Sequence, residues 1–173
     1  MTPDQALLVL NSVGLPSLGA EYPMTKKVIA AIPADKADYR PDSISRSALD
    51  LAWHIVTAED RFLDAVSSGA FDLTPRPRPE TVRSPADVNA WYEERFSTCL
   101  TRLKGLSGDQ LVKTIDFRGI FQFPAISYIQ IGLNHSIHHR GQLTMYLRPL
   151  DAKVPSIYGE SYDARMAREA TRT

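Results

Sequence analysis

The sequence predicts an all-α fold, a four-helix bundle with a polar site in its interior. Three observations predict it. Apolar residues recur every three or four positions through four stretches, the spacing of one helix face. Prolines, glycines and serines stand between those stretches, where helices start and stop. Three of the chain's four histidines, His135, His138 and His139, fall within five residues of one helical stretch.

Composition bounds the reading. A chain of 173 residues supports one domain with a substantial core and is short for two, so a single domain over 1–173 is expected. Hydrophobic residues make up 43% and charged residues 23%, an ordinary globular balance. Lys plus Arg and Asp plus Glu number 20 each, with no run of like charge. That argues against a dedicated nucleic-acid surface, which shows a basic patch. One cysteine, Cys99, allows no internal disulfide. Thr2-Pro3-Asp4-Gln5 lacks the basic start of a secretory leader, and no apolar run approaches about 20 residues. No membrane span and a cytoplasmic location are therefore expected.

Taken in order, Thr2 reads as an N-cap, with Pro3 at the first helical position and Gln5 completing a capping box. Gly14-Leu15-Pro16 is expected to break this helix. A second stretch runs to Ile32, and Pro23 is expected to kink or restart it. After a connection over 33–42, Ser43 and Ser45 offer N-caps. Leu51, Ile55, Ala58, Phe62 and Ala65 then form one stripe that ends at Ser67-Ser68-Gly69. His54 lies at the edge of that stripe, and Asp50, one turn earlier, is placed to orient its ring. Residues 69–83, with Pro75, Pro77 and Pro79, read as a stiffened crossover. Ser84-Pro85-Ala86-Asp87 opens the next helix, with Val88, Tyr92, Phe96, Cys99, Leu103 and Leu106 on its buried side. Cys99 reads there as a small apolar core residue. Residues 114–123 are strand-like and suit a short extended segment or hairpin. The histidine helix follows over 124–148, and a short last helix is expected from Ser161.

On the histidine helix, at about 100° per residue, His139 lies about 40° from His135 and His138 about 60° to the other side. Either pair could chelate one ion. A polar bundle core and a titrating surface cluster are the alternatives. The face of His135 and His139 also carries Ile131, Gly132, Gln142 and Tyr146, apolar at its ends and polar in the middle, as suits a buried polar site. A packed antiparallel helix would bring His54 opposite. Three imidazoles leave coordination positions open for water or substrate, the catalytic arrangement. Imidazole suits zinc, nickel, iron and copper alike. Gly141 is expected to allow close helix packing, and Gln142 and Tyr146 are candidates for hydrogen bonds to a ligand ring or a substrate.

His54 in a mid-chain helix, followed by His135-x-x-x-His139-Arg140-Gly141-Gln142, resembles the DinB/YfiT-like family of small four-helix-bundle metalloproteins. This family is distinct from the DNA polymerase of the same name. Ile32-Pro33, Tyr39-Arg40-Pro41 and Lys153-Val154-Pro155-Ser156-Ile157-Tyr158-Gly159 add to the resemblance, which covers roughly residues 20 to 160. It implies metal ligands His54, His135 and His139, with His138 not a ligand, a bundle with a long crossover, and a homodimer. Family members of assigned activity use low-molecular-weight thiols: mycothiol-dependent maleylpyruvate isomerase and bacillithiol S-transferases. The resemblance thus implies a divalent transition metal, zinc first and nickel or iron next. It also implies a small-molecule substrate and a thiol-dependent S-transferase or a hydrolase. A non-catalytic metal- or stress-responsive binding protein is the alternative.

Overall fold

The computed structural model describes residues 1–172. Helix α1 (Pro3–Val9) starts as expected: the Thr2 hydroxyl accepts the Gln5 N–H, and the Gln5 side chain accepts the Thr2 N–H. The expected break at Gly14-Leu15-Pro16 does not occur. The helix widens over Leu10–Gly14 into one π-turn, where the Leu15 N–H donates to the Leu10 carbonyl, and α2 (Leu15–Ala30) continues from it. A wider turn leaves room for the ring of Pro16, which would otherwise crowd the preceding carbonyls. Pro23 also lies inside α2 without ending it. The Gly19 carbonyl that Pro23 leaves without a donor is in an exposed residue, where water can serve it. Burial of Leu10, Leu18, Val28 and Ile29 outweighs both local preferences.

Helix α3 (Ala48–Ser68) is capped by Ser47, not by Ser43 or Ser45. The Ser47 hydroxyl accepts the Asp50 N–H and donates to the Asp50 carboxylate, while Ser45 is taken up by Asp42. Gly69 ends α3 at φ 80°, the left-handed cap that glycine adopts without strain. Helix α4 (Pro85–Lys104) opens on a Ser84/Asp87 capping box and buries the predicted stripe, Cys99 included. A short helix that the sequence reading lacks, α5 (Gly108–Val112), opens on a third capping box, Ser107 with Gln110. The strand-like stretch is a hairpin, β1 (Thr114–Phe117) paired antiparallel with β2 (Phe121–Pro124). Its turn has positive φ at both Arg118 and Gly119, the geometry that follows strand twist. Helix α6 (Ser127–Leu147) carries the histidines, and α7 (Tyr162–Ala170) starts at Ser161 as expected. Among the described residues no helix is long and apolar enough to cross a membrane.

Helices α2, α3, α4 and α6 form the bundle, each packed on two of the others. Residue pairs give their directions. Tyr92 meets Glu59, Arg95 meets Asp60 and Arg102 meets Asp64, so α3 and α4 run parallel. His54 meets His139 while Phe62 meets Gly132, so α3 and α6 run antiparallel. A parallel pair requires the chain to travel back the length of a helix, about 30 Å for 20 residues. The proline-rich strap 70–84 does this, since in extended form it reaches about 45 Å.

Gly132, not Gly141, provides the close helix approach. A Cβ at Gly132 would lie 2.9 Å from the Phe62 Cβ on α3, whereas at Gly141, which is exposed, it would meet nothing within 4 Å. The two glycines should therefore respond oppositely to alanine. Gly141→Ala should stabilise the protein by about 0.5–1 kcal/mol through helix propensity. Gly132→Ala should destabilise it by about 1–3 kcal/mol through overpacking. Urea denaturation of both variants measures the pair, and the same sign for both would contradict this packing.

Candidate metal centre

The α3–α6 contact places the site. With backbones close at Gly132 and Phe62, His135, nearly one turn further along α6, faces α3. His139 lies one turn beyond, and His54 projects from α3 between them. Ring centroids lie 5.0 Å apart for His54 and His135, 4.7 Å for His54 and His139, and 4.5 Å for His135 and His139. One ring nitrogen from each falls within 4.8 Å of the other two. All three rings are half-buried, and among the described residues no carboxylate joins the cluster. His138 is exposed, with its ring 4.9 Å from His139 on the outer side. The sequence left two histidine pairs open; the structure brings together His135 and His139 with His54.

Electrostatics favour the neutral form of each histidine of the triad. Burial, then Arg46 and the neighbouring histidines, push His54 down from the ordinary 6.5 to about 4. Burial, His139, His138 and Arg46 do the same to His135, also to about 4. His139 is lowered as well, chiefly by burial. Neutral imidazole is the form that coordinates metal. Two further observations fit a bound cation. The buried His135 Nδ1 has no hydrogen-bond partner, although buried polar atoms almost always find one. The His139 Nδ1 lies 2.9 Å from the Gln142 Oε1; with that oxygen accepting, Nδ1 carries the proton and the Nε2 lone pair is free to coordinate. The donor set is therefore able to hold a divalent ion of the borderline class.

Of the other predicted residues, Gln142 is exposed yet touches His139. Tyr146 is buried with its ring edge-on to Tyr39, 6.1 Å between centroids, and its hydroxyl meets no partner. Asp50 does not orient His54: its oxygens are taken by Arg78 at 2.9 Å, Ser47 at 2.7 Å and Arg40 at 3.2 Å. Cys99 is buried beside Asp60, and burial pushes its thiol up to about 12.

Arg140, adjacent to His139, points away from the triad into the core and is fully buried. Its guanidinium donates to the Glu21 carboxylate and carbonyl, the Thr25 hydroxyl and the Tyr158 hydroxyl. It thereby fixes the rotation of α6 against α2 and ties the segment after α6 to the bundle. Beside the triad opens a cavity of about 460 Å³, lined by His54 and His135 together with Arg61, Arg76, Phe117 and Arg118. The sequence reading contains none of these arginines. A signal existed for Arg61, which follows His54 by seven residues on the same helix face. Arg76 and Arg118 come from the strap and the hairpin, and only the fold brings them in.

Comparison with known proteins agrees with this fold. A curated relative, the "Uncharacterized protein YjoA" of Bacillus subtilis (strain 168), is 26% identical over 129 residues, covering 73% of this chain and 82% of that protein. A crystal structure of the B. subtilis DinB-like protein YjoA matches with a TM-score of 0.69 at 21% identity, over 86% of this chain and 99% of that one. A DinB-like protein from Bacillus cereus ATCC 10987 matches with a TM-score of 0.71 at 23% identity, over 84% and 95%. At such identities the structural matches establish the fold. The model of the DinB family matches residues 17–171, nearly the whole chain, and the protein belongs to the DinB family.

Proposed function

We propose that this chain is a metal-dependent enzyme in which His54, His135 and His139 hold one divalent transition-metal ion, zinc foremost and nickel or iron as alternatives. The observation that carries the reading is the convergence of three neutral imidazoles beside an open cavity. Bound there, such an ion supplies Lewis acidity, lowering the pKa of a water or stabilising a thiolate. The chain's own residues do the rest. The imidazoles contribute no charge, so they would lower the ion's electrophilicity less than carboxylate or thiolate ligands would. Gln142 orients His139, and the apolar cavity wall of Phe62 and Phe117 limits water beside the reacting centre.

The reaction class that the family resemblance supports is thiol-dependent S-transfer or hydrolysis. The buried Cys99, with its raised pKa, is unsuited to serve as the nucleophile. A thiol reaction here would take its sulfur from a small molecule. We propose as well, from the resemblance, that the chain works as a homodimer, and, from the sequence expectation, that it does so in the cytoplasm.

His139→Ala should abolish stoichiometric metal in the purified protein, whereas His138→Ala should leave occupancy unchanged. Elemental analysis reads both, and full retention in the first variant or loss in the second would overturn the ligand assignment.

Acid should act on the metal-free protein over a defined window. The unfolded chain has histidines near 6.5 and the folded chain holds His54 and His135 near 4. The unfolded state therefore binds more protons across that interval, and stability present above pH 6.5 is lost as pH falls toward 4. The same depression lets the folded chain keep His54 and His135 unprotonated at pH 5.5, where free imidazole is mostly charged. Thermal melts of chelator-treated protein between pH 7.5 and 4.5 test this, and a flat melting temperature would contradict it. Light scattering at micromolar concentration should give about twice 19.3 kDa; a monomer mass would refute the dimer.

A further inference from the structure

The walls of the cavity beside the triad carry three guanidinium groups, Arg61, Arg76 and Arg118, and no carboxylate. The chain as a whole is charge-balanced, so this is a local excess. Arg76 is neutralised by Asp60 at 2.6 Å and Asp72 at 3.4 Å. Arg61 and Arg118 form no ion pair among the described residues. Arg61 donates once, to the Thr74 carbonyl at 2.6 Å, and its buried Nε has no acceptor. Arg118, at the hairpin turn, stacks on the Phe117 ring with its guanidinium carbon 5.6 Å from the centroid. Two cations without an ion-pair partner thus line a cavity of a size that suits a small organic molecule.

We propose that this cavity is the binding site of a small organic carboxylate, held by Arg61 and Arg118 with its other end toward His54 and His135. The guanidinium fork matches the two oxygens of a carboxylate. Phe62, Leu73 and Phe117 provide apolar wall for the carbon skeleton. The anion also relieves the repulsion among the guanidiniums: Arg61 is held below its ordinary value by burial and then by Arg76, with Arg118 acting in the same direction. This deepens the reading above by naming a substrate class, and rests on it only in placing the cavity at the reacting centre. The arginines bind whether or not metal is present.

The test is isothermal titration calorimetry of the full chain, stripped of metal by a chelator, with succinate as the probe and the neutral diamide succinamide as the control. Succinate should bind, more weakly as salt rises, and succinamide should not. Arg61→Gln and Arg118→Gln should each raise the succinate Kd about ten- to hundredfold, the range for a lost charge-assisted hydrogen bond. Circular dichroism checks the fold of each variant. Should Arg61→Gln fail to fold, Arg118→Gln, on the exposed hairpin tip, decides the question. No binding of succinate, equal affinity for succinamide, or an unchanged Kd in either folded variant overturns the proposal. Metal loss is read separately on His139→Ala by elemental analysis, so failure of the metal reading and failure of the anion site give different results.

Discussion

The separation of α3 and α6 is set by a side chain that is absent. At Gly132 the two backbones approach so closely that a methyl group would strike the Cβ of Phe62. Interhelical distance depends on the side chains at the contact. A glycine there brings the helices near enough for imidazoles on opposite helices to reach one point. His54 lies 5.0 and 4.7 Å from His135 and His139 because the two helices are held close, and His135 and His139, one turn apart on α6, lie 4.5 Å from each other. Distance alone does not aim a side chain, and rotation of α6 about its axis is fixed separately by Arg140. A buried guanidinium anchored to Glu21, Thr25 and Tyr158 cannot turn toward α3 without leaving charge unpaired in the core, a cost of about 3–5 kcal/mol. The same residue that locks the helix therefore presents His135 and His139 to His54.

The second constraint is the parallel pairing of α3 and α4. Antiparallel neighbours are joined by a few residues, but a parallel pair needs a return path as long as the bundle. That path is the strap, and its path supplies chemistry as well as connection. Prolines at 75, 77 and 79 keep it extended. Arginines between them dock it: Arg76 to Asp60, Arg78 to Asp50, and the Trp53 indole to the Arg76 carbonyl at 3.1 Å. Asp50 is thereby spent on the strap and the loop before α3, which is why it does not serve His54. The docked strap forms one wall of the cavity, and the tip of the hairpin forms another. The cavity thus exists because the parallel pairing of α3 and α4 forced a long segment across the α3 face.

What was legible in the sequence follows the range of the interaction. Caps and stripes are local, and Thr2, Ser84, Gly69 and the α4 stripe appear where the residues place them. The triad was half legible, since the helical spacing of His135 and His139 is local while the contribution of His54 required a neighbouring helix. The errors arose where tertiary packing outweighed local preference. Pro16 and Pro23 signal a break, yet burial of Leu10, Leu18, Val28 and Ile29 keeps the helix running through a π-turn. Gly141 and Gly132 are equivalent in sequence, nine residues apart on one helix, and only the position of Phe62 distinguishes them. Arg61, Arg76 and Arg118 lie on a helix, a strap and a hairpin, and no pattern in one dimension joins them.

Those arginines pose an electrostatic question whose answer links the two halves of the site. A centre proposed to take a cation is here ringed by cations, and Arg46 disfavours positive charge on all three histidines. Three neutral imidazoles provide no negative charge to offset a divalent ion. In a partly buried site, with its lowered effective dielectric, that imbalance is felt more strongly than in water. An anion is the natural complement. Placed between the unpaired guanidiniums and the triad, it would lower the potential for the metal ion, and the ion would do the same for the anion. Because linkage is reciprocal, each would tighten the other by one factor. A site built of neutral ligands beside unpaired arginines would therefore favour the proposed metal and an anionic substrate together over either alone. That ordering would couple electrophilic activation to the presence of something to activate.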